Sequence, residues 1–412
     1  MEYKFPKNFL WGAATSSHQI EGYVKNDWTE WEKKTAVRNS KKGVRPVLES
    51  LQKSASNPDN YLSDCMYSPE SFKYWKQDVQ VIKDMGLKAY RLSVEWSRIQ
   101  PEKDTFSKEG IEYYKNVLKE LKKNNIKVVL TCWHWTIPLW LVEENSLLSQ
   151  NVVEYFTKYV EYLYENLSEY VDYWITINEP ESFFFEYLHG SWPPGRKNIF
   201  LYMKVLYKIL PSMHIESYKL IKGKDKDIPV SLAKSFVYVS EYNGFFLNKV
   251  VKDITNWFVN YSFTDKVKEY MDFVGVNFYF HNKVGILGIK NDNDKVSDMG
   301  WWLKPDKLYD LLKLIDNRYK LPMIITENGL ADSRDEYKSW WIEESVKAMH
   351  KATEDGCNVF GYLHWSLLDN FEWDKGYWPK FGLVSIDPKT KERKIKQSGV
   401  FYSKIVKNNG II

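Results

Sequence analysis

Two short acidic phrases, Thr176-Ile-Asn-Glu-Pro180 and Ile325-Thr-Glu-Asn-Gly329, are the most chemically pointed features of this 412-residue chain. Each glutamate follows a run rich in β-branched residues, Trp174-Ile-Thr-Ile177 and Met323-Ile-Ile-Thr326. Such runs read as buried strands, which puts Glu179 and Glu327 at strand ends. A carboxyl that donates a proton and a second that attacks or activates water are the minimum equipment for cleaving a glycosidic bond. Singly, each phrase has an ordinary reading. Asn-Glu-Pro suits a helix start and Glu-Asn-Gly a turn. His134 alone reads as a hydrogen-bonded core histidine. Arg91, in an otherwise apolar stretch, is harder to dismiss, because a buried guanidinium needs a carboxylate partner, and Glu327 is the candidate.

Carboxyls can be held this way by strands that alternate with helices. Eight short apolar runs do so, at 9–14, 89–94, 127–132, 173–178, 228–233, 273–277, 323–326 and 358–364. Between them lie amphipathic stretches. Over 69–85, Pro69 reads as the first helical residue, Phe72, Trp75, Val79 and Ile82 form the apolar stripe, and Gly86 is the stop. Ile111, Tyr114, Leu118 and Leu121 repeat the pattern. Eight strand–helix units without a Pro/Gly/Ser-rich linker predict an α/β fold, a single (β/α)8 TIM barrel with elaborated βα loops, forming one catalytic domain over residues 1–412. A doubly wound sheet is the alternative, but its G-x-G-x-x-G turn is absent from the sequence. The polar stretch 36–62 is expected to be a long loop at the barrel mouth.

The ends of these runs carry one kind of chemistry: His18, Gln19 and Glu21; Arg91 and Glu95; Trp133, His134 and Trp135; Asn178 and Glu179; Glu327 and Asn328; Trp365, Asp369, Asn370, Glu372 and Trp373. Carboxylates, amides and an imidazole pair with hydroxyls, and indole faces cover the apolar side of a sugar ring. Aromatic residues make up 17% of the chain, so most must be packing. A formal charge of +4 gives little reason to expect nucleic acid as a partner, and the most basic stretch, 33–45, has no aromatics to stack on bases. Cys65, Cys132 and Cys357 lack metal-ligand spacing and fit reduced thiols. The Met1-Glu-Tyr-Lys-Phe-Pro6 start has no signal-peptide pattern, and no run of 18 apolar residues occurs, so a soluble cytoplasmic protein without membrane contact, metal or cofactor is expected.

The chain closely resembles glycoside hydrolase family 1, the retaining β-glucosidase and β-galactosidase family. The matching stretches are Phe9-Leu-Trp-Gly-Ala-Ala-Thr-Ser-Ser-His-Gln-Ile-Glu-Gly22, Tyr90-Arg-Leu-Ser-Val-Glu-Trp-Ser-Arg-Ile99 and Thr131-Cys-Trp-His-Trp-Thr-Ile-Pro138, then the two glutamate phrases. Gly275-Val-Asn-Phe-Tyr279, Trp365-Ser-Leu-Leu-Asp-Asn-Phe-Glu-Trp373 and Phe381-Gly-Leu383 complete the set in family order. The resemblance implies Glu179 as acid/base and Glu327 as nucleophile, with Arg91 and Tyr279 holding Glu327 and keeping its pKa low, and Asn178 beside Glu179. It implies Gln19, His134, Trp135, Asn178, Glu372, Trp373 and Phe381 as the sugar-binding set, with Trp365 stacking beneath the ring. The substrates so implied are small β-glycosides or oligosaccharides with terminal β-D-glucosyl, β-D-galactosyl or fucosyl units.

Three alternatives stand beside this reading: a 6-phospho-β-glycosidase, an endo-cellulase of the same clan, and a sugar-binding barrel without activity. An anionic Glu372 would repel a phosphate, and the presence of both glutamates argues against an inert barrel. Departures from the family pattern fall at Cys132, at Phe280-His281 and over 234–270, which looks trimmed. These leave the leaving group and any homo-oligomer open.

Overall fold

A computed structural model of the chain describes residues 2–43 and 46–412. Eight parallel strands close on themselves: β1 Leu10–Ala14, β2 Ala89–Ser93, β3 Lys127–Trp133, β4 Tyr173–Asn178, β5 Val230–Glu241, β6 Val274–Gly285, β7 Met323–Asn328 and β8 Val359–Trp365. Each pairs with the next in chain order, and β8 pairs back onto β1. This is the expected (β/α)8 barrel. Its interior is filled by modest side chains such as Ala14, Ala89, Val129, Ile175, Ala233 and Ile324, while a larger apolar layer lies between strands and helices. Each fully buried aliphatic side chain there contributes about 1.5–3 kcal/mol.

The helices follow their apolar stripes. Lys108–Lys123 is capped by Ser107, whose hydroxyl accepts from Gly110 N at 3.0 Å, and it buries Ile111, Tyr114, Val117, Leu118 and Leu121. The helix expected over 69–85 runs Ser71–Asp84. Pro69 lies outside it, because Glu70 at the cap takes a left-handed conformation, φ 51°, that turns the chain before the helix begins.

Two regions differ from the sequence reading. Most of 36–62 is helical instead of being a loop, although positions 44 and 45 lie outside the described residues. Helix α1, Asp27–Lys42, starts at Asn26, whose side chain accepts from Thr29 N while Thr29 Oγ1 accepts from Asn26 N. Short turns Glu49–Leu51, Gln52–Ala55 and Pro58–Tyr61 follow. Local capping therefore outweighs the polar composition that suggested a loop. The fifth and sixth strands also run well past the apolar stretches at 228–233 and 273–277. β5 and β6 run on for 12 residues each, staying paired as far as Glu241 and Val284. Helix α2, Phe246–Asn256, follows β5 and packs against this projecting ribbon. Among the described residues no helix is long and apolar enough to cross a membrane.

Candidate active site

The strands deliver their polar residues to a cavity of about 400 Å³ at their C-terminal ends. Gln19, His134, Trp135, Glu179, Tyr279, Glu327, Trp365, Glu372, Trp373 and Phe381 all line it. Arg91 and Asn178 lie just beneath, fully buried. The residues singled out from sequence thus meet at one place.

Arg91 is the hub. From β2 it donates Nη1 to Glu327 Oε1 at 2.5 Å, Nη2 to Asn178 Oδ1 at 2.6 Å and Nε to Thr131 Oγ1 at 3.0 Å. Tyr279 Oη donates to the other Glu327 oxygen at 2.6 Å. Among the described residues no cation hydrogen-bonds Glu179. Asn277 Nδ2 donates to its Oε1 at 2.8 Å and Ser182 Oγ to its Oε2 at 3.0 Å. Its backbone, at φ 42°, leaves the strand in the left-handed region, anchored by Glu179 N to Ala233 O at 2.8 Å. Glu327, by contrast, remains within β7. The following Gly329 has no room for a side chain, since a Cβ would run into the Trp365 carbonyl.

Burial pushes Glu327 up to about 7, with the Arg91 guanidinium and the Tyr279 hydrogen bond opposing and Glu179 adding to the rise. The sequence expectation of a low pKa is therefore corrected: these two partners moderate desolvation without overcoming it. Tyr279 itself is driven well above its usual value by burial, so it remains a phenol donor. His134 is pushed well below its ordinary value by burial and by Arg91, which keeps the imidazole neutral. Glu372 is raised by burial to about 8. At neutral pH it is a carboxylic acid, and the argument that its charge excludes a phosphate does not hold in that form.

Four polar atoms on the cavity wall are buried without a hydrogen-bond partner among the described residues: Gln19 Oε1, His134 Nδ1, Trp192 Nε1 and Glu372 Oε2. Leaving such atoms unpaired costs about 1–3 kcal/mol each, which a hydroxyl-bearing ligand would relieve. Gln19 is pinned by Nε2 donating to Phe371 O at 2.6 Å. Trp365 lies near-parallel to His134, ring centroids 6.0 Å apart, and Trp373 is wedged among His18, Trp28, Trp135 and Trp192. Trp135 Nε1 is committed to Asn178 O at 2.9 Å, so this ring offers a face to the cavity and not a donor. Phe381 packs edge-on against Tyr279.

Other strand-end residues serve the scaffold. Glu21 binds Arg98 and Tyr114, Glu95 accepts from Ser97 and Thr136, His18 meets Glu32, and Asp369 pairs with Lys396. Asn328 bridges Phe278 O, Trp341 and Tyr362. Sequence reasoning passed over Asn277, although it sits inside the Gly275–Tyr279 phrase, and it missed the outer wall of Phe185, Trp192, Met299 and Trp301. Nothing in single apolar loop residues signals such a wall. Asp374 and Lys375 also reach the cavity, paired with each other at 2.6 Å.

A sequence model of glycosyl hydrolase family 1 matches residues 1–243 and 235–411. The chain belongs to glycosyl hydrolase family 1. Among family relatives, it is 28% identical to the 1,4-beta-D-glucan glucohydrolase of Thermotoga neapolitana, covering 99% of each chain. The family 1 β-glucosidase of Thermotoga maritima superposes with a TM-score of 0.89 at 27% identity, all of each chain being covered. The same enzyme in complex with glucoimidazole superposes at 0.88, again at 27% identity and with both chains fully covered. As a family 1 member the chain is a glycosyl hydrolase of β-glycosidase type, built on the family's (β/α)8 barrel.

Proposed function

We propose that the chain is a retaining, exo-acting β-glycosidase that removes terminal β-D-glucosyl units, with β-D-galactosyl or fucosyl units as further substrates. The observation that carries the reading is the unequal holding of two carboxyls on one cavity: Glu327 against a guanidinium and a phenol, Glu179 against a neutral amide and a hydroxyl. Glu327, as the carboxylate, attacks the anomeric carbon while Glu179 gives its proton to the departing glycosidic oxygen. The ester so formed removes the Glu327 charge. Glu179, now a carboxylate, takes a proton from water as that water attacks the same carbon and expels Glu327. Two inversions give net retention. Arg91, Tyr279, Asn178 and Asn277 position the pair. Gln19, His134 and Glu372 bind sugar hydroxyls, and Trp135, Trp365, Trp373 and Phe381 supply the apolar walls.

Exo-action is supported by Gln19 and Glu372, whose unpartnered oxygens suit the hydroxyls of a terminal sugar. The proposal treats residues 1–412 as one catalytic unit. It places the activity in the cytoplasm, in keeping with free Cys65, Cys132 and Cys357.

Glu327→Ala is expected to lose at least about 10⁴-fold in kcat toward a nitrophenyl β-glucoside, and added azide to restore turnover as the α-glycosyl azide. The β-azide would reverse the stereochemical assignment. A panel of nitrophenyl glycosides run on the parent enzyme ranks the sugars; turnover of 6-phosphoglycosides alone would replace this reading with a phosphoglycosidase.

A further inference from the structure

Among the described residues, 16 of the 25 exposed large apolar side chains lie within 184–289. Single surface hydrophobes need no explanation, but a contiguous set does. Continuity runs outward from the cavity. Phe185 lines it and is also exposed, and the neighbouring Phe184 ring meets Tyr202 at 6.1 Å. Tyr202 belongs to the short helix Ile199–Lys204, on which Phe200 is 81% exposed. Tyr207 Oη then donates to Ser262 Oγ at 2.8 Å, joining this segment to the turn Trp257–Tyr261 that continues α2. On α2 and that turn, Phe246 is 70%, Ile254 64% and Trp257 51% exposed. Ile286 N donates to Asn248 Oδ1 at 3.0 Å, which brings the tip of the projecting ribbon, with Leu287 exposed, beside α2.

The charge of the same surface is one-sided. Residues 196–208 hold Arg196, Lys197, Lys204 and Lys208 and no acid, and 241–258 hold Lys249 and Lys252 against Glu241 and Asp253, both of which pair with Lys252. Six basic residues against two acidic give an excess of four, as large as the +4 of the whole chain. Phe, Trp and Leu beside Lys and Arg, on a helix with a solvent-facing apolar stripe, form the pattern that sits at a lipid headgroup boundary. A second copy fits poorly, because a two-fold contact would bring this basic surface onto itself.

We propose that this rim docks on an anionic lipid surface, so that the cavity mouth opens onto the membrane and receives β-glycosides whose aglycone stays in the bilayer. The docking is independent of the chemistry, whereas the choice of substrate rests on the function proposed above. Lys204 and Lys208 extend toward lipid phosphates while Phe200, Phe246, Ile254 and Trp257 enter the headgroup layer.

The test is co-sedimentation of the full chain with vesicles of half phosphatidylglycerol and half phosphatidylcholine, against phosphatidylcholine alone. Binding is expected to the first, to weaken with salt, and to fall at least about tenfold in Phe200→Ser/Trp257→Ser. Soluble nitrophenyl glucoside hydrolysis by that variant stays at the parental rate, which also reports that it folds. Lys204→Glu/Lys208→Glu should abolish the preference for anionic vesicles. A parent chain that stays in the supernatant, that binds both vesicle types alike, or that is a dimer dissociated by the Phe200/Trp257 change would overturn the docking. Vesicle binding by a chain that turns over no glycoside would sink the functional reading and leave the docking standing.

Discussion

At the scale of single residues, Glu327 must be an anion to attack, yet it lies in a place that favours its proton. Arg91 and Tyr279 pull it down, and burial together with Glu179 pulls it up to about 7. The acid limb of kcat/KM is therefore expected at a midpoint near the value of about 7 for Glu327, well above an ordinary glutamate. Tyr279→Phe removes a donor that favours the anion, so its acid limb should move to higher pH. An unmoved limb in that variant's pH–rate profile would mean the phenol does not act on Glu327. The Arg91–Glu327 pair was legible in sequence, because an isolated arginine in an apolar strand demands a partner. The acidity of Glu327 and Glu372 was not, because desolvation depends on what surrounds a side chain and not on its neighbours in sequence.

At the scale of elements, the strands were readable and their lengths were not. β7 was found by its β-branched run, but Glu327 and Asn328 proved to belong to the strand itself. β5 and β6 alternate in burial beyond the barrel, and a run that leaves the core loses the continuous apolar signal used to find it. α1 was hidden by Lys and Ser, while its capping by Asn26 was local and strong. The tight crossing of β7 and β8 supplies a test at this scale. Gly329→Ala would press a methyl into the Trp365 carbonyl, displacing both Glu327 and the indole beneath the sugar site. A loss of roughly 2–4 kcal/mol in denaturant unfolding is expected, with lowered kcat; parental stability would mean that the two strand ends can slide apart freely.

At the scale of the whole molecule, the closed barrel followed from eight repeats of one pattern, whereas the projecting ribbon and its basic apolar rim follow from no repeat. The site itself weakens the fold it occupies. Glu372 is folded with a pKa of about 8, above the 4.5 of an unperturbed glutamate, so the folded chain holds a proton that the unfolded chain releases. Its contribution to stability is full below about pH 4.5 and is lost as pH rises toward 8. Glu372→Gln cannot lose that proton. Its advantage in Tm over the parent should grow across this window, corresponding to roughly 3–5 kcal/mol, while hydrolysis falls. Equal Tm differences at both ends of the window would show that Glu372 is solvated.

Tyr3 and Lys4 pair with Ile411 and Gly410, and Asn409 ties Phe5 O at 2.6 Å and the Trp11 indole at 2.9 Å. Because this seam precedes β1, it lies on the barrel face opposite the mouth. A short peptide could bridge positions 3 and 411 into a continuous ring with little strain, and the ring could then be reopened at a rim loop. The order in which the eight units are threaded is thus separable from the cavity they enclose.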